Sequence, residues 1–506
     1  MRLLALGALL GAVLVSAASA ATVRGTDRPE IVRGTPHADF LDPRRGRDRV
    51  LAGSGPDRIK AFDGTVDDVR CGPGPDIVAA DLGDRVAGDC ETVSRRLAVD
   101  RTTDTSTRHA TIVEPDSFSF GSTMLAVYQV GRVPRPGGAA TATGFSTTTD
   151  GGRTWRSGLL PGLTGARGSW ARVSDPVAGY DARHGVWLAA SLVISEGESG
   201  VAFNRSTNGV TWTPPVVARR VLGDELGVDK EWFACDNWLS SPYYGNCYLS
   251  YTDVRFDRIA LQTSTDGGVT WSEPIASPDN AGRGNQESPG VQPVVRPNGE
   301  LLILYLDDLR MSLLRSTDGG RTLARREVIS SAAPIAPPRF RAFSLPSADV
   351  GADGTVYMSW MDCRLHDGCE GADLLLVRSA DGVSWSAPTR IAVGPARRDL
   401  YYALPGLAAD PARAGRLGLA YYRVPATGGI DVYYAESSND GATWSRGRRL
   451  SPDSLQRDWL PDTQYGPMTG NYISTSFLNG RPVPIVILAG APHGTRLDEA
   501  VFAARP

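Results

Sequence analysis

The sequence predicts an all-β fold built from repeats, on three observations. A short turn phrase occurs six times: TTDGGRTW, STNGVTW, STDGGVTW, STDGGRTL, SADGVSW and SSNDGATW, ending at Trp155, Trp212, Trp271, Leu323, Trp385 and Trp444. Apolar runs of strand length precede the phrases, among them GVWLAASLV (185 to 193), NCYLSYTDV (246 to 254), GELLILYLDD (299 to 308), GTVYMSWMDC (354 to 363) and RLGLAYYRV (416 to 424), rich in the β-branched and aromatic residues that strands favour. The composition, 41% apolar and 22% charged with 57 Gly and 35 Pro in 506 residues, excludes a disordered or collagen-like chain and leaves room for more than one domain.

At the N-terminus, Arg2 precedes an apolar run from Leu3 to Val15, followed by the small residues Ala18-Ser19-Ala20. The run is too short to cross a bilayer, so residues 1–20 read as a secretory signal peptide cleaved before Ala21. No later run approaches spanning length. The expected protein is secreted, extracellular or at the cell surface, with no membrane span. Only Lys60 and Lys230 are lysines among 53 basic residues, which are scattered through 56 acidic ones at a net charge of -3. That distribution lacks the one-sided basic patch of a nucleic-acid binder.

Six cysteines fall into local pairs, Cys71 with Cys90, Cys235 with Cys247 and Cys363 with Cys369. An even count in an exported chain favours disulfides, and neighbour pairing is the expected connectivity. No CxxC spacing or His cluster points to zinc.

Residues 21–93 repeat an Asp followed two positions later by an apolar residue, as in Asp39-Phe-Leu41, Asp48-Arg-Val50, Asp57-Arg-Ile59, Asp67-Asp-Val69, Asp76-Ile-Val78 and Asp84-Arg-Val86. The period is near nine. With Gly before Asp in AGSGPD and CGPGPD, the segment resembles a degenerate haemolysin-type (RTX) β-roll. That resemblance implies calcium held by Asp57 and Asp76, through the hard oxygens their carboxylates offer. Residues 94–110 contain neither Gly nor Pro and read as a connector or closing strand.

From residue 111 to 506 the turn phrases resemble the Asp box, or BNR repeat, of the sialidase superfamily of β-propellers. In that resemblance the boxes are structural turns, in which Asp or Asn and the hydroxyls bind backbone, Gly supplies positive φ and Trp packs between blades. The spacing from Trp155 to Trp444 averages about 58 residues per unit, so residues 111–506 hold just under seven. The expected fold is a β-propeller with seven blades favoured and six as the alternative.

Such a fold gathers first-strand starts and second-strand ends on one face. First-strand starts include Asp175, the run Asp229-Lys230-Glu231-Trp232, Gln292, Arg341, Tyr402 and Asn471-Tyr472. The resemblance to sialidases implies a Tyr nucleophile activated by an acidic residue, with arginines on the sugar carboxylate. The candidates are Tyr402, Tyr472, Asp229 and Glu231 for catalysis and Arg132, Arg341, Arg364 and Arg423 for substrate. The chain departs from the family in its first blade, which lacks the Phe/Tyr-Arg-Ile-Pro opening, and at Gln292, which stands where the family has Glu. The expected function is exo-α-sialidase-type hydrolysis or binding of a glycan or glycoconjugate, sialylated ones included. The alternative is a non-catalytic extracellular glycan- or protein-binding propeller. No cofactor is required by the propeller.

Overall fold

The computed structural model describes residues 20–102, 110–133, 138–165, 168–223, 226–278 and 290–506. The expected signal peptide, apart from its last residue, and most of 99–110 lie outside them.

From Thr22 the chain winds as a parallel β-solenoid of about four turns. Its strands are β1 (Thr22–Arg24), β2 (Ile31–Arg33), β3 (Phe40–Asp42), β4 (Arg49–Leu51), β5 (Arg58–Ala61), β6 (Asp68–Arg70), β7 (Ile77–Asp81), β8 (Arg85–Val86) and β9 (Thr92–Ala98). Odd-numbered strands stack in one sheet and even-numbered strands in the other. The nine-residue phrase is therefore a half-turn. Its aliphatic residue points inward, and Leu41, Val50, Ile59, Val69 and Val78 are fully buried. The phrase Asp is buried too, and one carboxylate oxygen accepts a backbone N–H from the turn before. Asp39 donates to Asp57 at 2.8 Å, Asp48 to Asp67 at 2.9 Å, Asp57 to Asp76 at 2.7 Å and Asp67 to Asp84 at 2.9 Å. Coils approach so closely at Gly72 that a Cβ there would lie 1.9 Å from the Gly53 carbonyl oxygen, which only glycine avoids.

The rest of the chain forms antiparallel sheets. A first sheet joins β10 (Ile112–Phe120), β11 (Thr123–Arg132), β12 (Ala140–Thr148) and β13 (Arg156–Leu159) to β14 (Arg172–Asp181), β15 (Val186–Ser195), β16 (Glu198–Ser206) and β17 (Val216–Leu222). Four-stranded sheets follow in chain order. They are β18 (Val228–Cys235), β19 (Cys247–Asp253), β20 (Arg258–Ser264) and β21 (Ile275–Ala276); then β22 (Gln292–Val295), β23 (Leu301–Asp307), β24 (Arg310–Ser316) and β25 (Glu327–Ser331). After these come β26 (Ser347–Val350), β27 (Val356–Asp362), β28 (Asp373–Ser379) and β29 (Thr389–Arg390), then β30 (Leu400–Ala409), β31 (Leu417–Pro425), β32 (Asp431–Ser437) and β33 (Arg448–Arg449). Last are β34 (Ser474–Leu478), β35 (Arg481–His493) and β36 (Arg496–Arg505), and β36 pairs with solenoid strand β9. The first strands of neighbouring sets pack together, β10 on β14, β14 on β18 and β34 on β10. Large side chains such as Phe203, Tyr251, Tyr305, Trp360 and Tyr421 fill the space between facing sheets.

These sheets correct the expected architecture. A free-standing propeller of seven or six self-contained blades, behind a vestigial roll, is not what the chain forms. The N-terminal segment is a regular solenoid, and one of its sheets runs without a break through β36, β35 and β34, while the first two repeats share another sheet. The assignment to the sialidase propellers and to calcium-binding RTX rolls falls with it. A repeat period counts strands, but it does not say which sheet edges are joined.

The six turn phrases lie in tight turns whose chemistry is local. Asp150 accepts from the backbone N–H groups of Arg153 and Thr154 at 3.0 and 2.9 Å and from the Thr154 hydroxyl at 2.6 Å. Asp266 and Asp318 repeat the pattern. The phrase tryptophans are half-buried between adjoining sheets, as where Trp271 stacks on Phe203 with ring centroids 4.5 Å apart. The three disulfides pair as expected, Cys71–Cys90, Cys235–Cys247 and Cys363–Cys369. The solenoid is fastened to the antiparallel sheets by the edge-on pair Phe62–Phe502 at 5.1 Å, and by the Lys60 ammonium over Phe62 and Trp459. No helix among the described residues is long and apolar enough to cross a membrane.

Candidate functional site

Four first strands carry the same irregularity. The ladders of β10, β14, β18 and β30 shift register at Val113/Asp116, Ser174/Val177, Asp229/Trp232 and Ala403/Gly406. Inside each bulge one residue with a side chain takes positive φ: Glu114 at 53°, Asp175 at 43°, Lys230 at 52° and Leu404 at 52°. This conformation is costly for a residue bearing a Cβ and persists only where its surroundings enforce it, commonly at binding and catalytic sites. Proline follows in three cases, Pro115, Pro176 and Pro405, and withholds a ladder donor there. In three of the four bulges the redirected side chain is charged.

Those three charges meet. The Lys230 ammonium lies 3.3 Å from Asp175 and 3.4 Å from Asp229. The Ser174 hydroxyl donates to Asp175 at 2.6 Å, and the Gln129 amide donates to Ser174 at 2.9 Å and to Glu114. Arg132 donates to the Gln129 amide oxygen at 3.1 Å. Arg341 donates to Asn471 at 3.0 Å and lies over the rings of Phe343 and Tyr465. Trp232 and Tyr472 meet edge-on at 5.0 Å.

The charges set one another's protonation. Burial, reinforced by the Asp175 charge, pushes the Glu114 carboxyl up to about 7. Burial also opposes ionisation of Asp175, but the Lys230 ammonium and the Ser174 hydroxyl outweigh it and hold that carboxyl below its usual range. Glu231 and Glu499 are raised well above the usual range by burial. Neither carboxylate has a hydrogen-bond partner among the described residues, and the Asn471 amide nitrogen also lacks one. Buried polar groups are seldom left so.

Of the residues expected from sequence, Arg132, Arg341, Asp229, Glu231 and Tyr472 come to this cluster. Tyr402, Arg364 and Arg423 are held by other partners. Tyr402 donates to the Pro395 carbonyl at 3.0 Å. Arg364 grips Asp362 through two nitrogens at 2.9 and 2.7 Å, and Arg423 pairs with Asp431 at 3.5 Å. The Tyr–carboxylate pair that sialidase-type hydrolysis needs is not formed, because the Tyr472 hydroxyl donates to the Pro176 carbonyl at 3.1 Å. That expected activity is corrected accordingly. Sequence reasoning missed Glu114 and Gln129 altogether. The available signal was the X-Pro step recurring in first strands, Glu114-Pro115, Asp175-Pro176 and Leu404-Pro405.

Asp57 and Asp76, expected as calcium ligands, are consecutive rungs of one carboxylate ladder. Among the described residues no group of three or more His, Cys, Asp or Glu is placed to hold a metal ion. Each ladder carboxylate spends one oxygen on a backbone N–H, and the second oxygens of Asp57 and Asp76 have no partner among the described residues.

No family model matches the chain, and no curated protein matches it. Among solved structures, a polysaccharide lyase of family PL25, an ulvan lyase, aligns at 10% identity over 81% of this chain and 94% of its own, with a TM-score of 0.48. The intramolecular trans-sialidase of Ruminococcus gnavus aligns at 12% identity over 65% and 94%, with a TM-score of 0.45. A protein of unknown function from Dyadobacter fermentans aligns at 14% identity over 68% and 99%, with a TM-score of 0.44. Likenesses this loose assign no activity.

Proposed function

We propose that the protein binds a carbohydrate outside the cell, in the charged cluster of the three bulges. The observation that carries this reading is the convergence of Glu114, Asp175 and Lys230, each at positive φ, on one hydrogen-bonded set with Gln129, Ser174 and Arg132. A polyhydroxylated ligand donates and accepts at every hydroxyl, which suits a set mixing carboxyls, amides, an ammonium and guanidinium groups. Burial holds most of the carboxyls toward their neutral form, while Arg132, Lys230 and Arg341 supply cations that suit a sugar carboxylate. Export follows from the signal-like N-terminus and agrees with three disulfides and no free cysteine among the described residues.

Calorimetry of the full chain with glucose, galactose, glucuronate, galacturonate and their disaccharides tests the reading. At least one sugar should bind, and Arg341→Ala should weaken an acidic one by roughly tenfold or more. No binding across the panel, or binding indifferent to both Arg341→Ala and Lys230→Met, would refute it.

A further inference from the structure

The solvent face of the even-numbered solenoid sheet carries a regular array that the cluster does not involve. The register aligns Ile31, Arg49, Asp68 and Arg85 in one outward column and Arg33, Leu51 and Arg70 in the next. Each of the four rungs thus presents one arginine, in alternating columns: Arg33 on β2, Arg49 on β4, Arg70 on β6 and Arg85 on β8. Rungs of a sheet are about 4.8 Å apart and the two columns about 6.6 Å apart along the strands, so positive charge advances by one rung at a time in a zigzag. All four arginines are exposed. Among the described residues Arg70 pairs with Asp68 at 3.9 Å, while Arg33, Arg49 and Arg85 are in no ion pair.

The face is concave as well as charged. A hollow of about 460 Å³ is lined by Arg47, Arg49 and Arg85 together with Ile31, Val66 and Asp68, and a second of about 470 Å³ adjoins it at Arg45, Arg47 and Val66. Ile31 and Val66 are 52% and 41% exposed, so apolar surface alternates with guanidinium groups. The hollows are also lined by the exposed Asp27, the half-buried Glu30 and Asp68 and the buried Asp48 and Asp67, so three carboxylates that reach solvent face the six arginines Arg33, Arg45, Arg47, Arg49, Arg70 and Arg85.

We propose that this face docks an extended acidic polysaccharide carrying one carboxylate per sugar ring. The charge repeat of such a chain is close to the rung spacing, the guanidinium groups pair its carboxylates, and Ile31, Leu51 and Val66 meet the apolar faces of its rings. The face offers no aromatic side chain on which a base could stack, which disfavours a nucleic acid of the same charge. The site is separate from the bulge cluster and does not rest on the function proposed for it.

The full chain is titrated with polygalacturonate, with neutral dextran and with single-stranded oligodeoxythymidylate, and each titration is repeated on R33Q/R49Q/R85Q and on a charge-matched control, R153Q/R321Q/R446Q, at three exposed arginines remote from both sites. The expected result is salt-sensitive binding of polygalacturonate, little of dextran or the oligonucleotide, a loss of about tenfold or more in R33Q/R49Q/R85Q, and little change in the charge-matched control. These surface changes leave the core untouched, so an unaltered melting temperature should accompany the loss. Undiminished affinity in R33Q/R49Q/R85Q, tighter binding of the oligonucleotide, or no polygalacturonate binding by the wild type would overturn the proposal. An equal loss in R33Q/R49Q/R85Q and in the charge-matched control would overturn it in favour of net charge alone.

Discussion

Lys230 is held at positive φ between Asp175, which comes from the neighbouring β14, and Asp229 beside it in sequence. Removing its charge leaves buried carboxylates facing each other unpaired. Lys230→Met should therefore destabilise the protein by roughly 3 to 5 kcal/mol, the usual cost of breaking a buried pair from one side, as read by chemical denaturation. Glu114 supplies a pH signature. Its carboxyl, pushed up to about 7 by burial and then by Asp175, binds its proton more tightly when folded than when unfolded. Its contribution to stability is complete at acid pH and is lost as pH rises through about 7. Sugar affinity should accordingly change between pH 6 and 8 in the wild type and stay flat in Glu114→Gln, by calorimetry at each pH. At this scale the sequence was partly legible. Apolar runs located strand starts and ends closely enough to select Arg132, Arg341, Asp229, Glu231 and Tyr472. The Asp175 partner of Lys230 lies 55 residues away, and no local pattern encodes a contact between two sheets.

The carboxylate ladder is a property of the solenoid coil. Burial is the leading cause of a raised carboxyl at Asp57 and Asp76, to about 6, and at Asp67 and Asp84, to about 7. Raised values mean that the folded coil takes up protons, so its stability is greatest in mild acid and falls as pH rises from about 4 to about 7. Thermal melts should show the solenoid more stable at pH 5 than at pH 8, and Asp67→Asn should reduce the difference by stabilising the alkaline side. In the antiparallel sheets, Trp271→Ala should cost about 3 kcal/mol by removing the ring stacked on Phe203. The nine-residue period exposed the half-turns and their inward aliphatic residues, because a coil repeats its contacts at a fixed spacing. The same period suggested calcium at Asp57 and Asp76, and sequence does not reveal that one oxygen of each carboxylate accepts a backbone N–H from the neighbouring coil.

At the scale of the molecule, the expected propeller gave way to a solenoid whose sheet continues into β36, β35 and β34. That junction depends on β9 pairing with β36, which are some 400 positions apart along the chain, and on Lys60 lying over Phe62 and Trp459. Repeat spacing is blind to both. The cysteines were legible, because each pair closes a short local loop.

The chain's two lysines make the central claim directly measurable. In protein labelled with nitrogen-15 at lysine side chains, Lys60 reports on the solenoid junction and Lys230 on the bulge cluster. Titrating in whichever sugar of the panel binds best should move the Lys230 ammonium signal in step with the calorimetric isotherm and leave that of Lys60 unchanged. A binding isotherm with no movement at Lys230, or with movement at Lys60 alone, would contradict the assignment of the cluster as the carbohydrate site.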